Sequence, residues 1–431
     1  MKIRSITYFC NPKFPLEEKI LQDAGKFLSE AKSAYEAAGY EVQTVRLATI
    51  PFPKLLSGND FNRSGSKATE VATTKSLNEL PKFANQFAKA IKDAGIAYGS
   101  LGPALPEFPR SYQVIPEAIA ASEDIFFGGM MTGKSGSELS DSRIFMSAVK
   151  ACADVIVKCA PLDPNGFANL KFAALANVHA GAPFFPAAYH DGDAPAFAIA
   201  VESADVAVNA FAGQPTLDEG RSALIAEITK HGQAISHVAQ SLISNLQSPK
   251  FLGIDFSLAP FPDDAHSLGN AVEKMGVQKI GLHGSLASAA ILTEAIERAD
   301  FPHIGFNGFM QPVLEDTILA KRAAEGTLTI KDALLYSAVC GTGLDTIPLA
   351  GDTTADQISP LLLDLCALAL RLDKPLTARL MPVPGKRAGE ATEFDFAFFA
   401  NSRVMALDSS PLGLPLGGDE KITLNAKLPR S

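Results

Sequence analysis

Several short stretches of this sequence combine side chains that could do chemistry. The densest runs from Cys340-Gly341-Thr342-Gly343-Leu344-Asp345 to Gly351-Asp352-Thr353 and joins a thiol, two carboxylates and three glycines. A thiol beside glycine acts as nucleophile or radical relay if a neighbouring base lowers its pKa, although a buried Cys is more often a small apolar packing unit. In Gly281-Leu282-His283-Gly284-Ser285 a strand, Lys279–Leu282, reads as turning into a helix that begins at Leu286, with Ser285 as N-cap. Free N–H groups and positive potential there suit a carboxylate or phosphate, and His283 adds an imidazole that could serve as acid or base. The plain alternative is a tight turn whose histidine caps a carbonyl.

Asp255 and Ser257 stand two apart at the end of another predicted strand, so both could face one cavity; a strand-end Asp is also a common turn former. Gly128 to Ser135, GGMMTGKS, satisfies the G-x-x-x-x-G-K-[ST] phosphate-loop pattern, with Lys134 placed to meet an anion. A phosphate loop runs directly into a helix, whereas Gly136, Ser137 and Ser140 are poor helix residues, which favours a plain Gly/Ser loop over nucleotide hydrolysis. Asn177-Val178-His179 and Tyr189-His190-Asp191-Gly192-Asp193 gather two His and two Asp around Pro183 and Pro186. No helical H-x-x-x-H spacing supports a metal there, and His190 reads as the ligand-facing member.

The elements that position these groups follow from periodicity. Ile3 to Phe9 reads as a strand, and apolar residues recur at three- and four-residue spacing from Leu16 to Ala38, with Gly39 at the helix C′ position. Val42–Leu47 is a second strand, and a second amphipathic helix runs from Leu80 to Ala94. Between them a long polar connection, 57–74, is placed to act as a lid. Further strands are predicted at Ile125–Phe127, Leu170–Asn177, Phe197–Val201, Phe251–Phe256, Thr377–Pro382 and Phe394–Phe399. Helices are predicted at Leu217–Leu246, Leu268–Met275, Leu286–Arg298, Val313–Glu325, Ile330–Ala338 and Asp356–Arg371. Capping-box spacing at Thr329/Asp332 and Thr354/Gln357 bounds the intervening Gly341–Thr353 as a loop. Strands alternating with helices argue for a mainly parallel α/β sheet or barrel.

Composition narrows the function classes. The 431 residues carry 38 Lys+Arg against 47 Asp+Glu, a net charge of −9, so there is no overall basic footprint for nucleic acid or anionic lipid. Hydrophobic residues make up 47%, yet no apolar run reaches the roughly 18 residues of a spanning helix. The five cysteines are odd in number, scattered and free of C-x-x-C, which fits a reducing, cytoplasmic setting.

Five motifs in order, NVHAGAPFFPAAYHDGDA (177–194), GIDFSLAPFP (253–262), GLHGS (281–285), the long 312–353 segment containing PVLEDTILAKR and CGTGLDTIPLAGDT, and RLMPVPGKRAGEATEFDF (379–396), resemble the family called domain of unknown function 711. The resemblance covers about 124–405, is loose over 1–123 and leaves 406–431 as a tail. It implies a single domain, 1–431, with a pyruvate formate-lyase-like architecture: a ten-stranded α/β barrel with outer helices and an interior finger loop. In such barrels the finger loop carries the thiyl-forming cysteine, and its counterpart here would be the loop after Ala338 with Cys340, Gly341, Gly343 and Asp345. Ala400 to Ala406 contains Arg403-Val404 but no following Gly-Tyr, so a stored glycyl radical is not expected.

The resulting expectation is an enzyme acting on a small anionic metabolite in a barrel cavity. Gly284 and Ser285, with Lys134 or Arg379, would hold the anion, and His283 or Asp255 would move a proton. Cys340 would be the nucleophile, with Asp345 beside it and Ser257, His190 and Asp352 as further ligand contacts. The alternatives are a non-catalytic metabolite sensor using the same pocket and a phosphate-loop nucleotide-binding protein. No cofactor is named by the sequence, no metal site is expected, and a homodimer is the base-rate assembly.

Overall fold

The computed structural model describes residues 1–57, 76–134, 142–192, 194–243, 249–339 and 342–427, without the side chain of Lys134. Ser135, Asp193, Cys340, Gly341 and nearly all of the connection read as a lid lie outside these residues. The first strands are β1 (Lys2–Cys10), β2 (Val42–Thr49), β3 (Tyr98–Ala104), β4 (Ile125–Met130), β5 (Thr132–Lys134) and β6 (Ser142–Phe145). They are followed by β7 (Phe172–Ala176), β8 (Ala196–Glu202), β9 (Lys250–Ala259), β10 (Gly343–Ala350), β11 (Leu376–Val383) and β12 (Lys421–Thr423).

Nine of them form one sheet in the order β10-β11-β7-β4-β3-β2-β1-β8-β9, and β12-β6-β5 form a small second sheet. The middle strands β7-β4-β3-β2-β1 are mutually parallel. The flanking pairs β8-β9 and β10-β11 are each parallel within themselves and join the middle set through antiparallel contacts, β1 with β8 and β7 with β11.

Each strand sorts its side chains by period two. On β8 the outward Phe197, Ile199 and Val201 join the main core beneath the helices, whereas the inward Ala196, Ala198 and Ala200 are all small. Burying each large outward side chain contributes about 1.5–3 kcal/mol. Helix 18–37 covers part of this outer face, with Phe27 against Tyr8 and Phe197 at centroid distances of 5.6 and 5.0 Å. The small inward residues leave room for something else.

That room is filled by backbone. Residues 178–190, between β7 and β8, run along the inner face, and from 181 to 190 every residue except Tyr189 is buried. Buried loops are uncommon because each N–H and C=O needs a partner. Here Thr7 Oγ1 donates to the Pro183 carbonyl (2.9 Å) and Ser100 Oγ to the Ala188 carbonyl (2.8 Å). The His190 N–H donates to the Thr49 carbonyl (2.9 Å), and the Gly181 N–H closes the loop stem onto the Tyr189 carbonyl (2.9 Å). Pro183 and Pro186 simply lack the donor.

The edge strands β9 and β10 are not paired in a ladder, so the expected continuous ten-stranded barrel is not seen. Both edges instead bond to the irregular segment 303–312. Isolated parallel bridges link Ile254 with His303 and Pro312 with Asp345, and the Leu258 N–H reaches the Gly308 carbonyl at 3.2 Å. Asp255 anchors this segment: its carboxylate accepts from the N–H groups of Phe306 (2.7 Å) and Asn307 (3.0 Å) and from the N–H and Oγ of Ser257. Burial pushes its carboxyl above the ordinary range, and these hydrogen bonds only partly offset that.

Three sequence expectations are corrected. Gly343–Ala350, read as loop and finger, is the edge strand β10; Gly343 (φ 95°) permits the close approach of the Thr377 carbonyl, 2.2 Å from where a Cβ would stand. Lys279–Leu282 and Phe394–Phe399 are not strands. The phosphate-loop match is extended as far as it is described, with Gly128–Met130 in β4 and Thr132–Lys134 in β5. Both capping boxes form as read.

The seam yields a prediction. Asp255→Ala orphans two buried N–H donors, and Gly305→Ala places a Cβ 2.3 Å from Asp255 Oδ2 at φ 82°. Urea unfolding should show Asp255→Ala less stable by roughly 3–5 kcal/mol, with Gly305→Ala also destabilised. A loss below about 1 kcal/mol for the first would show that the carboxylate does not hold the seam.

Candidate functional site

A cavity of about 570 Å³ lies against the inner face, with the tip of the interior loop, Phe184 to Ala187, in its wall. Its polar side is a chain of paired charges. Glu202, the last inward residue of β8, accepts from Gln43 Nε2 (2.7 Å) and Arg4 Nη1 (3.2 Å). Arg4 Nη2 donates to Glu315 (2.7 Å), whose other oxygen accepts from Arg379 Nη2 (2.7 Å). Arg379 then grips Asp345 through Nε and Nη2 at 2.5 and 2.9 Å.

Local structure explains each placement. The β1–β8 register shifts between Ile3 and Ser5, and such an irregularity re-aims a side chain, here Arg4. Arg379 follows Thr377 at period two on the inward face of β11, and both line the cavity. Glu315 ends the short turn Val313–Glu315, just after Pro312 bridges to Asp345.

The shifts follow from burial and pairing. Burial opposes ionisation of Glu315, but the guanidiniums of Arg379 and Arg4 outweigh it and hold the carboxyl below its ordinary value. Asp345 goes the other way: burial raises its carboxyl, Arg379 only partly compensates, and the charge of Glu315 adds to the rise. Arg379 is held firmly protonated because its two carboxylates outweigh its burial.

Arg46 differs from these. It lies on β2 between the inward Thr44 and Ala48, Nε donates to Thr44 Oγ1 (2.8 Å), and its guanidinium sits 5.6 and 5.3 Å from the ring centroids of Tyr98 and Phe185. Among the described residues no carboxylate pairs with it. Burial, and next the nearby charge of Arg4, push its pKa down to about 9. It remains cationic at neutral pH, with surface open to the cavity.

A second cavity, about 550 Å³, opens at the C-terminal ends of the parallel strands β1 to β4 and β7, where ligands of open α/β sheets usually bind. Its Lys54, Glu107, His179 and Asp191 are exposed, whereas in the first cavity only the Lys2–Glu41 pair is open to solvent and Arg4, Arg46, Glu315, Asp345 and Arg379 are largely covered. Perturbed, partly desolvated charges mark the first as the candidate site. Among the described residues no group of three or more His, Cys, Asp or Glu is placed to hold a metal.

Of the residues singled out from sequence, the structure joins Asp345 to Arg379 in the cavity and Asp255 to Ser257 at the seam. Arg379 directs its donors at Asp345 and Glu315. His283 and Gly284 stand on an exposed turn; Gly284, not Ser285, is the N-cap. Ser285 is buried, its hydroxyl donating to the Leu282 carbonyl (2.7 Å) and accepting from the Gly281 N–H (3.0 Å). His190 is buried beside Phe9, centroids 6.3 Å apart, and Asp352 is exposed in the turn after β10. Sequence reasoning missed Arg4, Arg46, Glu202 and Glu315. The available signal was weak: an arginine inside each of two strands, Arg4 in β1 and Arg46 in β2, among other polar residues.

The family model described as Uncharacterised ACR (DUF711) matches residues 1–401. A UPF0210 protein of Pyrobaculum aerophilum is 28% identical over 397 residues, covering 87% of this chain and 81% of its own. A UPF0210 protein of Oleidesulfovibrio alaskensis is 30% identical over 429 residues, covering 96% and 89%. One from Acetivibrio thermocellus is 30% identical over 346 residues, covering 75% and 74%. The family match begins at the first strand and so takes in Arg4 and Arg46, in the part the motifs matched only loosely. From its first strand through the cavity residues, this chain belongs to the DUF711 family of uncharacterised proteins.

Proposed function

We propose that the cavity binds a small organic anion at Arg46 and that the Glu315–Arg379–Asp345 group moves a proton at it, making this an acid–base enzyme. The single observation that carries the reading is Arg46: a desolvated cation in a cavity wall with no carboxylate against it among the described residues. At an effective dielectric of 20, an anion 4 Å away gains about 4 kcal/mol of Coulomb energy. Asp345 is the proton carrier. In its neutral form it gives a proton to the bound molecule and becomes a carboxylate held by Arg379; in the charged form it takes one back.

The ten-stranded barrel belongs to the same reading. Hydrogen bonds from 303–312 to both β9 and β10 support closure through that segment, with 178–190 as the interior loop in place of the loop after Ala338. Thiol chemistry at Cys340 rests on a residue outside those described. The sensor alternative corresponds to binding without turnover.

Two tests follow. Calorimetry against a panel of small mono- and dicarboxylates should find a ligand that the wild type binds and that Arg46→Gln binds at least tenfold more weakly. Arg46→Lys should recover only part of the affinity, because a point charge replaces a planar fork. Equal binding by Arg46→Gln would remove the anchor.

The second concerns pH. The folded Glu315 carboxyl lies below its ordinary 4.5, so its contribution is complete above that value. As pH falls through 4.5 the unfolded chain takes the proton first, and the contribution is lost. Glu315→Gln lacks this term, so the melting-temperature gap between wild type and variant should narrow below pH 4.5. A gap constant from pH 6 to 3 would overturn the assignment.

A further inference from the structure

We infer that the anion bound at Arg46 carries an aromatic ring, and that Phe396 and Phe398 are the residues that select it. This rests on the reading of the cavity as an anion site and names the ligand's other half.

The segment 392–402 is pinned at both ends. The Phe394 N–H donates to Asn401 Oδ1 (2.7 Å), Asn401 Nδ2 returns to the Phe394 carbonyl (3.2 Å), and Ser402 Oγ reaches the Ala320 carbonyl (2.7 Å). The Ala400 N–H donates to the Leu314 carbonyl (2.7 Å). Phe394 and Phe399 are its apolar anchors, buried with Leu314, Met381 and Val383. Phe396 and Phe398 are left 36% and 47% exposed, although both line the cavity. A tightly held loop that keeps two large rings half in solvent has surface waiting to be covered.

Ring geometry says by what. Phe398 meets Phe396 at 5.4 Å and 55°, and Phe261 at 6.0 Å and 84°. Phe398 is thus tilted to both of its neighbours, so faces and edges are both on offer, and a further planar ring packs against such rings offset or edge-to-face. Tyr98 and Phe185 flank Arg46 in the same cavity, so a planar molecule meets aromatic surface from its charged end to its apolar end. A volume of about 570 Å³ accommodates a compact aryl acid. A flexible alkyl chain of equal carbon number would bury similar area but would lose rotamer freedom and gain no ring–ring geometry.

The test compares 3-phenylpropanoate with nonanoate, which have equal carbon numbers, by calorimetry on the full-length protein. The expected result is at least tenfold tighter binding of the aryl acid by the wild type. In Phe396→Leu/Phe398→Leu that preference should fall to within about threefold, with nonanoate affinity retained. The double variant gives up the ring contacts of Phe396 with Phe167 and Phe399 and should melt slightly below the wild type, and nonanoate binding reports an intact cavity. If the wild type binds nonanoate as well as the aryl acid and Arg46→Gln weakens both, the aromatic inference falls while the anion reading stands. An aryl preference unchanged in the double variant overturns the role of Phe396 and Phe398. If neither ligand binds, or both bind unchanged in Arg46→Gln, the anion reading falls and this inference with it.

Discussion

The inner face of this sheet is filled by a stretch of backbone, and the hydrogen bonds that backbone requires constrain much of what surrounds it. A buried N–H or C=O without a partner costs about 1–3 kcal/mol, so 178–190 can lie inside only where strands offer side-chain hydroxyls and free carbonyls. Thr7, Ser100 and Thr49 meet that demand from β1, β3 and β2. Space is the other half of the requirement. Ala48, Ala196 and Ala198 share a cluster with Phe185 and Ala188, so a larger inward residue there would displace the loop. The loop in turn fixes Phe184 to Ala187 in the cavity wall, and the position of Arg46 against Phe185 depends on it.

The second constraint is charge. Glu202, Arg4, Glu315, Arg379 and Asp345 are contributed by β8, β1, the 313–315 turn, β11 and β10, so the chain of ion pairs crosses the region where β9 and β10 fail to pair. Removing one member of a buried pair typically costs 3–5 kcal/mol, because the other is left uncompensated. Yet replacing a whole buried network by apolar residues is often neutral or stabilising. Stability therefore explains why the members need one another, but not why charge is there at all. The proposed recognition and proton transfer would supply that reason, since both need groups whose ionisation is set by their surroundings.

Much of the secondary structure was legible because its determinants are local. The periodic helix read at Leu80 to Ala94 is 80–93, and the helix after Thr354 begins where its capping box says. The failures have non-local causes. Gly343 and Pro348 look like breakers, but Gly343 answers the Thr377 carbonyl, and Pro348 sits on an edge strand where its missing donor does no harm. Nothing in Ala182 to Ala188 marks a proline-rich loop as interior; that depends on small residues in β8 and hydroxyls in β1 and β3. Asp345 and Arg379 were visible in the family motifs, and their partnership across β10 and β11 became visible only with the register. Arg46 was hidden because an arginine on a strand is ordinary until the opposite wall is known.

Charge arithmetic over the cavity joins these points. Lys2 and Glu41 at the cavity compensate one another, and Arg4, Arg46 and Arg379 stand against Glu202, Glu315 and Asp345, so the fully ionised region has no net charge and its attraction for an anion is local, at Arg46. Burial raises the Asp345 carboxyl, and once it holds a proton the site carries one positive charge. An arriving anion restores neutrality and favours full protonation of Arg46, whose pKa burial had lowered to about 9. It also favours retention of the Asp345 proton, because a second negative charge nearby opposes its loss. Under the proposed function, binding and protonation would thus be linked in one direction: the anion would enter best when the acid is loaded, and the same charge that anchors it would hold that proton ready for transfer.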